Sequence, residues 1–158
     1  MKLSRILING IIIFIGIALF FLLMEVLHLQ DQIYLRLVNF VFVIYGVNRT
    51  IKQNFNDHID GYFANITSGI LTALVSVALG IISFIAYVEY RGGEEYLHSL
   101  ASAYIFGGGN PSLYQFVIGL VLEGAAASVI VSFALMQFWK DKVEKINEVD
   151  DRAHNAHS

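Results

Sequence analysis

Long apolar runs separated by short polar clusters dominate the chain. Four runs stand out, over residues 6–29, 32–47, 66–88 and 112–139. A helix needs about 20 mostly apolar residues to cross a bilayer. The second run is the weakest, because Arg36 and Asn39 interrupt it. The runs are continuous, whereas a membrane strand alternates apolar and polar positions over about ten residues. A helix also bonds its own backbone amides, which lipid cannot do for it. The pattern therefore predicts an all-α, polytopic membrane protein. Four transmembrane helices fall within residues 1–150, and a polar, disordered cytoplasmic tail covers 151–158.

The connections differ in character. The first hairpin turns tightly around His28 to Asp31. Residues 48–65 read as a polar inner connection. It holds two glycosylation-like triplets, Asn48-Arg49-Thr50 and Asn65-Ile66-Thr67, which a cytoplasmic position turns into chance matches. In the second outer connection, 89–111, Tyr96, Leu97, Leu100 and Tyr104 recur at helical spacing and predict a short interfacial helix. Gly107, Gly108 and Gly109 break it. Asn110 then caps the last helix and Pro111 occupies its first turn.

Composition sharpens this reading. The 158 residues are 56% hydrophobic and 15% charged, against about a quarter charged in a soluble domain. Basic residues favour the cytoplasmic side of a membrane. With the N-terminus inside, Lys2, Arg5, Arg49, Lys52, Lys140, Lys142, Lys145 and Arg152 lie inside, and only Arg36 and Arg91 lie outside. That split calls for an even number of helices with both ends in the cytoplasm. Lys2 and Arg5 resemble the start of a signal peptide, but the apolar run behind them is too long and lacks a small-x-small cleavage site, so a retained first helix is expected. The absence of cysteine excludes disulfides, thiolate metal sites and covalently attached c-type haem. No basic stripe points to nucleic acid.

Ionisable groups within a bilayer are costly and mark candidate sites. Glu123 lies about eleven residues into the fourth run, roughly 16 Å from its outer end and near the midplane of an about 30 Å core. It reads either as a proton- or cation-binding carboxylate or as a structural hydrogen-bonding group, with Ser76 at similar depth as partner. Glu25 and Arg36 are equidistant from the first turn and are expected to form an ion-paired hairpin clasp. Ser68, Thr72, Ser76 and Gly80 make a small-residue row at spacing four, and Gly124, Ser128 and Ser132 make another. Such rows let helix backbones approach closely, within the chain or against a partner. His28, His58, His98, His154 and His157 are placed too far out for paired haem ligands. Asp57, His58 and Asp60 read as a solvated loop before a metal site. No catalytic, cofactor or metal site is expected.

A Lys/Arg start, a two-helix hairpin, a third helix whose start reads Tyr62-Phe63-Ala64-Asn65 and then Gly69-Ile70-Leu71, and a last helix ending in a basic stretch from Lys140 to Lys145 complete the pattern. In these features the chain resembles an uncharacterised family of small bacterial four-helix membrane proteins, a domain of unknown function. The resemblance implies a membrane fold, and no activity or site residues. The expected function is a non-catalytic accessory or structural subunit of a bacterial inner-membrane complex, with the lipid bilayer and other membrane subunits or a second copy as partners. The alternative is a homo-oligomeric ion- or proton-coupled transporter or channel built on Glu123. A membrane enzyme or lipid-binding protein using the outer Gly-rich loop is a third reading, without a catalytic constellation behind it.

Overall fold

A computed structural model describes residues 2–29, 32–59, 61–101 and 111–155. The described residues are helical and contain no strand. The helices are α1 (Leu3–Val26), α2 (Val38–Asn56, entered through a 3-10 turn over Ile33–Leu37), α3 (Tyr62–Arg91), α4 (Glu94–Ala101) and α5 (Leu113–Asn155). Three helices are long and apolar enough to cross a membrane: Leu3–Val26, Tyr62–Arg91 and Leu113–Lys142 within α5. The chain is thus built as a multi-pass membrane protein. α2 is not among the three, since it carries Asn39, Asn48, Arg49, Lys52, Gln53 and Asn54.

Three boundaries depart from expectation. The second helix does not stop at residue 47 but continues to Asn56, and α3 already starts at Tyr62. The polar inner connection therefore shrinks to a turn. α2 buries Gly46, Val47, Thr50, Ile51 and Asn54, a helical stripe that includes polar members, while Arg49 and Lys52 stay exposed. A hydropathy reading sees the polar residues; the 3.6-residue period is the better guide. α5 does not stop at 139 but runs on to Asn155, so residues 151–155, expected to be disordered, are helical.

Local chemistry explains the helix ends. α3 ends at Gly92, in the left-handed region with φ 117°, and Gly93 N–H reaches back to the Val88 carbonyl at 2.8 Å. This is the glycine-terminated closure that satisfies the last carbonyls of a helix. At the start of α5 the cap is Ser112, not Asn110, which lies outside the described residues. Ser112 Oγ accepts from Gln115 N–H at 3.3 Å, and Gln115 Oε1 accepts from Ser112 N–H at 3.1 Å, a reciprocal capping box. A short helix exists where one was expected, as α4, and its apolar side turns inward: Leu97 and Leu100 are buried, and Leu97 packs with Val88 and Phe116. Tyr104 and the glycines 107–109 lie outside the described residues.

α2 and α3 touch each other and both flanking helices, whereas α1 and α5 do not meet among the described residues. Small residues set the crossings. A Cβ on Gly10 of α1 would stand 2.6 Å from Val75 Cγ1 and 2.9 Å from the Thr72 carbonyl oxygen of α3. One on Gly124 of α5 would meet Val77 at 2.7 Å, and one on Gly69 would meet Ser132 Oγ and Val47 at 3.0 Å. Ser68, Thr72, Ser76, Ser128 and Ser132 are all buried, so both small-residue rows are used inside the chain. Gly80 departs from its row: a Cβ there meets nothing within 4 Å.

Gly10→Ala should destabilise the bundle by about 1–3 kcal/mol through overpacking, because a backbone oxygen cannot rotate away. Unfolding of the purified protein in mild detergent measures this, and an unchanged unfolding midpoint would refute the close α1–α3 crossing.

Candidate functional site

Between the four long helices lies a half-enclosed cavity of about 370 Å³. Each helix lends it one face. α1 contributes Phe14, Ile17, Ala18 and Phe21; α2 and its leading turn contribute Arg36, Asn39, Phe40 and Val43; α5 contributes Leu120, Glu123, Gly124 and Ala127. All three sets follow the i, i+3, i+4, i+7 spacing of one helix side. α3 adds Ser76, Val77, Gly80 and Tyr87. Small side chains, among them Ala18, Ser76, Gly80 and Ala127, face the space and leave it unfilled. Toward the other end the bundle is closed by a packed core that includes Ile13, Val47, Ile51, Val131 and Met136. The cavity is therefore blind.

Glu123 and Arg36 are its charged groups. Gly124, next to Glu123, touches Val77, which lies midway along the 30 residues of α3. Glu123 is thus at half depth. Arg36 Nη2 donates to both carboxylate oxygens, at 3.0 and 3.1 Å. The Arg36 side chain is 16% exposed and that of Glu123 41%, so the carboxylate is the more open half of the pair. Asn39 Oδ1 beside them is buried and hydrogen-bonded to nothing.

Two expectations fail here. Arg36 does not pair with Glu25. Equal distance from the turn assumed α-helical rise on both sides, but residues Ile33–Leu37 form a 3-10 turn, which changes both rise and direction. Nor is Ser76 the partner of Glu123: its hydroxyl donates to the Ala73 carbonyl at 2.7 Å, although both residues line the cavity.

Glu25 instead anchors a cluster at the end of α3. Its carboxylate forms an ion pair with Arg91 at 2.8 Å and accepts hydrogen bonds from Tyr96 at 3.1 Å and from Tyr87. The Arg91 guanidinium stands 5.2 Å from the Tyr96 ring centre, within cation–π range. Burial, and then the Glu25 carboxylate, push the Tyr96 hydroxyl above its ordinary pKa. Tyr87 belongs both to this cluster and to the cavity wall, so the clasp joining α1, α3 and α4 adjoins the cavity.

The opposite end is a polar layer. Asn9 Nδ2 donates to Thr50 Oγ1 and Gln53 Oε1, both at 2.9 Å, and the Thr50 and Thr72 hydroxyls bond at 3.0 Å. Arg5 donates to Asn54 Oδ1 at 2.7 Å and to Asp57, and Lys2 donates to Asp57 at 2.7 Å. Trp139 Nε1 donates to Asn48 Oδ1 at 2.8 Å. The sequence reading missed this network by treating 48–65 as a loop. The signal was present: Arg5 and Asn9 stand at i and i+4, and Thr50, Gln53, Asn54 and Asp57 at i, i+3, i+4 and i+7. Among the described residues no group of three metal-binding side chains gathers, and Asp57 serves Lys2 and Arg5 instead.

Hydrogen bonds from Lys2 and Arg5 hold the Asp57 carboxyl down from 3.8 to about 2. A depressed carboxylate contributes stability above its unfolded pKa and loses it as pH falls through the folded one. Amide exchange over the first turn of α1 should therefore accelerate as pH drops from about 4 to about 2, after correction for intrinsic rates. In Asp57→Asn it should be fast across the whole range; a first turn equally protected in both proteins would refute the latch. Comparisons with protein-family models, curated proteins and solved structures found no match to this chain.

Proposed function

We propose that this chain is a non-catalytic, ligand-binding protein of a bacterial inner membrane, with α1, α2, α3 and α5 embedded and both ends cytoplasmic. The observation that carries the reading is the blind cavity around Arg36 and Glu123 at half depth. Ligand pockets are typically concave, largely apolar and furnished with a few convergent polar groups, and this cavity has that make-up.

The orientation rests on the basic residues, eight of ten of which fall on the side of Lys2, Lys52 and Lys140. α2 supports a fourth embedded helix in a particular sense. It is too polar to face lipid alone, and α1, α3 and α5 pack around it. The bacterial inner membrane rests on the family resemblance of the sequence. The small-residue rows no longer argue for a partner subunit, because they pack the chain against itself. A conducting pathway through one copy is disfavoured by the closed core, and Arg36 already neutralises the charge that Glu123 would offer a cation.

Gly80→Leu tests the reading, since Gly80 lines the cavity and a Cβ there meets nothing within 4 Å. Native mass spectrometry of gently extracted wild-type protein should find one small molecule per chain. Gly80→Leu should lose that molecule while keeping, or slightly raising, its thermal midpoint. Bare wild-type protein, or a molecule retained equally by both, would overturn the proposal; unrelated subunits at fixed stoichiometry without a small molecule would favour the accessory-subunit reading instead.

A further inference from the structure

We infer that the cavity receives an amphiphile whose head group carries a primary ammonium and an acidic oxygen group, the chemistry of a phosphoethanolamine head on an acyl chain. This rests on the ligand-binding reading above and names the class of ligand.

The argument starts from charge. Among the described residues the cavity presents one guanidinium and one carboxylate, held side by side, whose charges sum to zero. A ligand of net charge would leave an uncompensated charge among apolar walls, which is costly. A zwitterion laid against the pair in opposite order keeps the sum at zero and gives each charge an opposite neighbour. Its ammonium faces Glu123, the more open partner, and its acidic oxygens face Arg36. A carboxylate has about four acceptor positions, and Arg36 uses one on each oxygen, so Glu123 can accept further N–H donors.

Asn39 refines the class. Its carboxamide oxygen bonds to nothing in the chain, and a terminal amide turns about a broad, two-fold torsion. Turning it toward the cavity sacrifices no bond that the oxygen makes, and gives the ammonium a second acceptor. Only an ammonium with N–H donors can use both acceptors, so a quaternary ammonium is the poorer ligand. The tail follows from the rest of the wall, where Phe14, Ile17, Phe21, Phe40 and Leu120 offer apolar surface. A cavity of about 370 Å³ holds a head group and the first part of a chain, and because it is only half enclosed the remainder can continue outside it.

The test is equilibrium binding of radiolabelled lysophosphatidylethanolamine to the purified full-length protein in neutral detergent micelles. Competitors are lysophosphatidylcholine, lysophosphatidylglycerol, monoacylglycerol and tail-free glycerophosphoethanolamine. Lysophosphatidylethanolamine should bind about tenfold or more tightly than each of them, the range that hydrogen bonds to charged groups supply. Asn39→Leu, which removes an unpaired polar group and is expected to fold, should lose about tenfold for this ligand and leave lysophosphatidylcholine unchanged. Glu123→Gln should abolish the preference between the two. Equal binding of all tailed lipids would overturn the head-group assignment while leaving the cavity reading intact. Equal binding of glycerophosphoethanolamine would overturn the acyl-tail assignment in favour of a free zwitterion. Binding of none of the five would overturn both inferences.

Discussion

α2 is too polar to stand in lipid by itself, and α1, α3 and α5 each pack against it and meet its polar groups, while Val41, Ile44 and Tyr45 stay exposed. Polar groups in a non-aqueous surrounding need partners within the protein. Along α2 and its leading turn they find them on three different helices: Arg36 on Glu123 of α5, Asn48 on Trp139 of α5, Thr50 on Asn9 of α1 and Thr72 of α3, Gln53 on Asn9, and Asn54 on Arg5 of α1. Each of these hydrogen bonds is directional and joins one particular pair of side chains. These contacts therefore specify where α2 sits more sharply than apolar packing alone.

The two halves of the bundle use this constraint differently. At the Lys2 end, short polar side chains and glycines bring the helices together, and a closed core lies beside the polar layer. At the other end, a long Arg side chain spans between α2 and α5, and small residues such as Gly80 leave space behind it. The cavity follows from one charged pair bridging helices that small side chains do not fill. The Glu25, Arg91, Tyr87 and Tyr96 clasp ties α1, α3 and α4 together beside that space.

Much of this was legible in the residues. The helical class, three of the four expected spans as long apolar helices, and the short helix near Tyr96 all follow from run length and helical rise. Pairing was less legible. Glu25 and Arg36 each have a charged partner, but the partners are Arg91 and Glu123, because a 3-10 turn re-aims Arg36 and because Arg91 comes from a helix end distant in sequence. The extension of α2 past residue 47 was obscured by counting Thr50, Gln53 and Asn54 as loop residues, although they fall on one helical side. Asn39 was read only as a blemish in a weak helix, since nothing local shows that its carboxamide sits beside a cavity.

The enclosure of α2 through Arg36 and Glu123 is most directly tested by solid-state NMR of the protein in lipid bilayers. Dipolar recoupling between guanidinium nitrogens and glutamate side-chain carboxyl carbons reads the proximity of each pair. The account predicts a strong Glu123 signal that disappears in Arg36→Met, and a separate Glu25 signal that survives there and disappears in Arg91→Met. A Glu123 carboxyl without a nearby guanidinium, or a Glu25 signal that vanishes in Arg36→Met, would contradict it.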